Sequence, residues 1–210
     1  INTKLNLKLN QIYQIKEKDL NYLRKYYMDL ILKEKDPDKE AFVLVDKFPF
    51  QTVCLPLINL LFPDAKIIFA HRNPYDTVLS CFQQTFEPNN AMANFTTIKK
   101  SAQIYDLTMS MWINYQKNLS LNFVMSKYED LLDNFDIHVN TIIKFLNLEW
   151  DENIKNYRNT ALKRGKINTP SSSQVVQPLY KTSIAKWKNY EKYFEDSKEY
   201  LEKWAKHFSY

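Results

Sequence analysis

Between residues 19 and 33 apolar side chains recur at three-to-four spacing, at Leu20, Leu23, Tyr27, Leu30 and Ile31. That period predicts an amphipathic helix with the stripe as its core face. Lys35, Asp36, Pro37 and Asp38 form a turn, after which Phe42, Val43, Leu44 and Val45 make a continuous apolar run closed by Asp46 and Lys47, the pattern of a short buried strand. Leu55, Ile58, Leu61 and Phe62 return to helical spacing before Pro63. A second β-rich run, Lys66 to Ala70, then ends in His71 and Arg72. Asn73 followed by Pro74 signals a helix start, because Asn accepts from an orphan backbone N–H and Pro at the first helical position loses no bond. This helix is predicted to reach about Phe86. Beyond a loop over 87–94, a longer helix over 96–118 is expected to bury Ile104, Leu107, Met111 and Tyr115. Asn122 to Lys127 offers a third strand. Helices around 136–146 and 151–157 follow, then a polar stretch over 163–174 and two terminal helices containing Trp187 and Trp204. No internal repeat is seen.

Strands alternating with helices predict an α/β fold with a parallel sheet covered on both faces, since a crossover helix is needed to return the chain to the same end. Residues 1–40 read as an N-terminal helical segment and 41–210 as the α/β domain. Ligands of such sheets bind beyond the carboxyl ends of the strands, and two of the three predicted strands finish there in a cation, Lys47 and Arg72.

Composition narrows the chemistry. A length of 210 residues, against about 150 per domain, suggests one core. With 45% hydrophobic and 25% charged residues the chain can bury that core and is not a disordered segment. Two cysteines, Cys54 and Cys81, make neither a zinc site nor a disulfide scaffold; both are expected to be small hydrophobes rather than nucleophiles. No apolar run is long enough for a membrane span and no leader precedes Ile1, so a cytoplasmic protein is expected. A net charge of +5 without a basic cluster interleaved with aromatics argues against nucleic acid and is compatible with a small anionic ligand. His71, His138 and His207 lack metal-ligand spacing, and no metal is expected. The single glycine, Gly165, excludes a Gly-rich phosphate loop within the chain, so other groups must hold any phosphate.

Arg72 and the helix start at Asn73 and Pro74, with Asp76, Thr77 and Ser80 following, are the constellation where an anion is expected. A guanidinium at a strand end, directly before a helix whose first N–H groups point outward, favours an anion. Ser80 lies two turns on, roughly 10 Å along the axis, so it meets the same anion only if the ligand runs along the helix flank. Pairing of Arg72 with Asp76 or Asp106 is the structural alternative. Lys47, at the mouth of the first predicted strand, is either an ordinary solvated lysine or an ammonium that follows charge developed in a reaction.

The run FPDAKIIFAHRNPYDTVLS from Phe62 to Ser80 resembles the 3′-phosphate-binding segment of sulfotransferases. Two further segments resemble that family in the same order, Val45 to Phe50 upstream and Tyr128 to Leu132 after the third strand. Ser171 to Pro178, followed by Ile184 to Trp187, is similar to the protein-tyrosine sulfotransferases and to bacterial sulfotransferases fused to tetratricopeptide repeats, so such repeats are a possible upstream partner segment. The resemblance spans about residues 41–194. It implies a P-loop-NTPase-like three-layer α/β/α fold, and transfer of a sulfuryl group from 3′-phosphoadenosine 5′-phosphosulfate (PAPS) to an acceptor hydroxyl or amine, without a metal, leaving adenosine 3′,5′-bisphosphate. It further implies that Arg72 and Ser80 hold the 3′-phosphate and that Tyr128 contacts the nucleotide. Ser171, Ser172, Ser173 and Gln174 would lie along it, Lys186 would reach the phosphosulfate, and Lys47 and Ser171 would stabilise transition-state charge.

Three family features depart. The first strand with its Gly-rich 5′-phosphosulfate loop is missing, the acidic general base falls by spacing before Ile1, and Gln84 stands where a second basic residue is common. A fragment that binds adenosine 3′,5′-bisphosphate weakly and turns over poorly is therefore expected. Its rivals are a non-catalytic remnant or partner-binding module, and a nucleotide kinase, which the lack of a Walker A loop disfavours. The acceptor is not legible; the loops 87–94 and 163–170 are the segments expected to select it.

Overall fold

The computed structural model describes residues 15–32, 43–48, 50–87, 89–163 and 177–210. In chain order the helices are α1 (Glu17–Leu32), α2 (Leu55–Leu61), α3 (Pro74–Gln83), α4 (Ile98–Asn118), α5 (Tyr128–Asp133), α6 (Phe135–Leu146), α7 (Tyr157–Lys163) and α8 (Lys198–His207). Strand β1 (Lys66–His71) lies between α2 and α3, and β2 (Asn122–Lys127) follows α4. The two strands pair in parallel, joined by the crossover through α3 and α4. The architecture is therefore α/β with helices dominant. Where length alone suggests one core, the chain forms two compact units, residues 1–65 with 111–122 and residues 66–110 with 123–210.

In the first unit α1 buries Leu20 and Leu23, while Leu30, expected on the same stripe, is 48% exposed. The Arg24 guanidinium donates from Nε to the Leu61 carbonyl at 2.6 Å and from Nη2 to that of Leu60 at 3.3 Å, satisfying carbonyls at the end of α2 that have no partner within the helix. The expected strand ending at Lys47 is not formed. Residues 43–48 have no regular structure, and Val43 and Val45 are exposed. A strand needs a ladder partner, and among the described residues none pairs with this run. The run is instead held through Asp46, whose Oδ2 accepts from the Tyr27 hydroxyl at 2.9 Å and from Gln51 Nε2 at 3.1 Å.

The second unit is built around Tyr75, Val78 and Leu79 of α3, Ala102 of α4, Phe194, and Leu201 of α8, with Tyr105, Trp187 and Tyr190 packed on them. Helix α4 buries a different face from the expected one: Ser101, Ala102, Thr108 and Met109 are buried and Leu107 is 56% exposed. Counting only apolar residues misplaces the face, because Ser101 and Thr108 satisfy their hydroxyls locally, on the Thr97 and Ile104 carbonyls at 2.8 and 2.7 Å. Helix α3 ends at Gln83 rather than near Phe86. Gln84 is extended, and Phe86 packs on Phe95 with ring centroids 5.2 Å apart, which draws the chain off the helix axis. The segment around Trp187 is a 3-10 helix, Lys186–Tyr193, broken at Tyr190 (φ −126°, ψ 16°). Trp187 stacks on Tyr75 of α3 at 4.3 Å. Among the described residues no helix is long and apolar enough to cross a membrane.

His71 closes β1 and shares a hydrogen bond between Nδ1 and the Tyr210 hydroxyl at 3.0 Å. Burial first, then the charges of Lys127 and His138, hold its pKa below the ordinary 6.5, with Glu129 and Asp130 opposing. A histidine whose folded pKa is depressed contributes stability above its unfolded pKa and loses it as the pH falls. The midpoint of thermal unfolding should therefore drop on acidification from about pH 7 to about pH 5, and His71→Gln should flatten that drop. An equal slope in both proteins would remove His71 as its source.

Candidate functional site

Adjacent parallel strands finish at the same end, so the residues that follow β1 and β2 are neighbours. After β1 come Arg72 and Asn73; after β2 come Tyr128 and Glu129. The Arg72 guanidinium lies 4.9 Å from the centroid of the Tyr128 ring, a cation–π contact. Glu129 Oε1 accepts the Asn73 backbone N–H at 3.1 Å and ties the two strand ends together. Asn73 caps α3 as its sequence predicts, its side-chain oxygen accepting from the N–H groups of Tyr75 at 3.0 Å and Asp76 at 3.3 Å.

A third segment, sequence-distant from both, crosses this junction. The Ser183 carbonyl accepts from Arg72 Nη2, and the Ser183 hydroxyl meets the Tyr128 hydroxyl at 2.9 Å. Asp76, 1% exposed, accepts the backbone N–H of Ala185 on Oδ2 at 2.7 Å and that of Trp187 on Oδ1 at 2.9 Å. Arg72 therefore pairs with neither Asp76 nor Asp106; Asp106 instead accepts from Trp204 Nε1 at 2.8 Å and from Lys203 at 2.7 Å. Lys186 is exposed, and its Nζ donates to Gln83 Oε1 at 3.1 Å. Gln83 stands three residues after Ser80 on α3, so Lys186 reaches the helix flank that carries Ser80.

Of the site residues expected from sequence, Arg72 and Tyr128 are in contact, Ser80 is half-buried on α3, and Lys186 is fixed to the same helix. Lys47 is exposed on the irregular run 43–48 of the first unit. Ser171, Ser172, Ser173 and Gln174 lie outside the described residues. Ser183 and Asp76 are junction residues to which the sequence assigns no binding role. Ser183 carries no local signal, and Asp76 reads from sequence as an ion-pair partner, whereas its actual partners are main-chain amides more than a hundred residues away.

The donor inventory fits an anion. Arg72 Nε is buried and has no hydrogen-bond partner among the described residues, a donor without an acceptor beside a helix N-terminus. Cys81, the residue after Ser80, senses the same charge: burial pushes its thiol up from the ordinary 9.0 to about 11, and the Arg72 guanidinium only partly opposes the rise. A cavity of about 370 Å³ opens nearby, walled by Asn73, Tyr75, Glu129, Ala185, Trp187 and Lys188 among others; Arg72, Ser80 and Tyr128 are not in its walls. Among the described residues no group of three or more His, Cys, Asp or Glu side chains is placed to hold a metal ion.

These features define an α/β protein with a cationic, aromatic-backed junction at the carboxyl ends of two parallel strands. The family model described as Sulfotransferase family matches residues 4–152, and the chain belongs to that family. It is also 27% identical over 183 residues to an uncharacterized protein of Aquifex aeolicus (strain VF5), an alignment covering 87% of this chain and 23% of the relative. The chain thus spans less than a quarter of the length of that relative.

At pH 8 a thiol with a pKa of about 11 is ionised in roughly one molecule in a thousand, so alkylation should modify exposed Cys54 well before Cys81. Arg72→Ala should slow Cys81 further, because the one opposing charge is gone; mass spectrometry of the iodoacetamide adducts over time is the check.

Proposed function

We propose that the chain binds PAPS and takes part in transfer of its sulfuryl group to an acceptor hydroxyl or amine. The observation that carries this reading is the buried Arg72 Nε, without a partner among the described residues, beside the Tyr128 ring at the capped start of α3. A phosphate oxygen is the acceptor this donor lacks, and the aromatic ring beside it suits a nucleoside. Family membership supports the chemistry.

In this reading Arg72 and Ser80 hold the 3′-phosphate along the flank of α3, Tyr128 contacts the nucleotide, and Lys186 serves the phosphosulfate. Ser171, Ser172, Ser173 and Gln174 lie along the nucleotide, and Ser171 joins Lys47 in stabilising developing charge. When bound, PAPS would supply an activated sulfuryl group, transferred to the acceptor oxygen or nitrogen with adenosine 3′,5′-bisphosphate as leaving group and the acceptor's proton passing to solvent water. The work left to the protein in so loose a transfer is positioning and fixed positive charge, which is what arginine, lysine and hydroxyl side chains provide. The single glycine leaves the 5′ side without a Gly-rich cradle within this chain. Binding by this chain alone is accordingly weak.

Calorimetric titration with adenosine 3′,5′-bisphosphate tests the assignment. Loss of a charge-assisted hydrogen bond costs about 1.5–3 kcal/mol, so Arg72→Ala should weaken binding by about 10- to 100-fold, while Tyr128→Phe, which keeps the ring, should weaken it less. Equal heats from the wild type and Arg72→Ala would overturn the reading.

A further inference from the structure

We infer that Asp76 is a positioning residue for the nucleotide site. Its buried carboxylate holds the segment 183–187 in the register that puts Lys186 on the Ser80 flank of α3 and the Ser183 carbonyl on Arg72. The inference rests on the preceding assignment of Arg72, Ser80 and Lys186 to the nucleotide.

The geometry leaves the segment little choice. Two N–H groups two residues apart, at Ala185 and Trp187, converge on the two oxygens of one carboxylate. The turn that brings them together passes through Ala185, left-handed at φ 55°, ψ 20°, directly before the 3-10 helix that begins at Lys186. For a residue with a Cβ this conformation is uncommon and persists where the surroundings enforce it. Here the carboxylate enforces it from one side and the stack of Trp187 on Tyr75 from the other.

The chemistry of the anchor is equally restricted. Each oxygen accepts one main-chain donor, so the group must be an acceptor at both ends. An asparagine would offer one oxygen and turn an NH₂ against the second N–H. A carboxylate at 1% exposure is a demanding group to bury, and two charge-assisted bonds are what make it tolerable there.

The consequence for the site follows from spacing. Asp76 stands one turn before Ser80 and four residues after Arg72 on the same strand-to-helix run, while its partners flank Lys186 on either side. One side chain thus sets the distance between the Arg72–Ser80 pair and the lysine more than a hundred residues away. Residues 183–187 also lie beyond residue 152, where the family match ends, so this clamp joins the matched part of the chain to a segment outside it.

Asp76→Asn in the full chain, measured by amide hydrogen exchange and by titration with adenosine 3′,5′-bisphosphate, tests the role. Exchange at Ala185 and Trp187 should rise at least about tenfold, since the bond to one oxygen is lost. Affinity should fall as far as it does in Lys186→Ala, and the double variant should be no weaker than Lys186→Ala alone, because both changes remove the same contribution. A merely structural role would instead give losses that multiply in the double variant. Should Asp76→Asn not fold, Asp76→Glu, which keeps the charge and lengthens the reach, should bind the bisphosphate more weakly than wild type when titrated well below its melting temperature; wild-type affinity in that variant would refute the role. Unchanged exchange, or multiplied losses in a protein that does bind, overturns the inference. Absence of binding in the wild type overturns the nucleotide assignment instead, and the inference with it.

Discussion

The parallel pairing of β1 with β2 is the constraint on which the second unit depends. Two strands that run the same way end at the same edge, and this one fact makes Arg72 a neighbour of Tyr128 and Asn73 a neighbour of Glu129. An antiparallel pair would have put these residues at opposite ends of the sheet. The crossover needed for parallel pairing is α3 and α4, and α3 is also the helix whose start carries the cationic junction. Topology and chemistry are therefore set by the same stretch of chain.

Around that junction the protein uses aromatic packing to hold segments that make few regular hydrogen bonds. Tyr75, Trp187 and Phe194 meet at centroid distances of 4.3 to 6.1 Å and include stacked and edge-on pairs. Such contacts add to apolar burial and restrict orientation. They secure a 3-10 segment that, with its break at Tyr190, does not form a regular helix of its own. The C-terminal residues act similarly at the other strand position, with Phe208 4.9 Å from the His71 ring and Lys127 over the ring of Tyr210 at 4.2 Å.

Much of this was legible in the residues. The second and third predicted strands, the Asn73 cap with Pro74 and most helix positions depend on local patterns, and they occur close to the expected places. Arg72 and Tyr128 could be named because both lie at strand ends within recognisable segments. What failed was non-local. Residues 42–45 have the composition of a strand, but composition cannot supply a ladder partner, and the described run 43–48 is held by Asp46 instead. Leu107 has the spacing of a core residue, but burial goes instead to a face that includes Ser101 and Thr108, whose hydroxyls are satisfied by their own helix. Cys54, expected to be buried, is exposed. Asp76 was invisible as an anchor because its partners are main-chain amides, which nearly every residue possesses, and Ser183 because its partners, Arg72 and Tyr128, lie far away in sequence.

The unpartnered Nε of Arg72 bears on how this protein sits between durability and readiness. A buried donor left without an acceptor costs a fold about 1–3 kcal/mol, and replacement of Arg72 by an apolar side chain of similar volume would remove that frustration. Selection for a hardier fold would therefore push against this arginine. The junction is thus a spot where the fold carries local discomfort, and variants raised for heat resistance alone would be drawn to relieve it at this arginine.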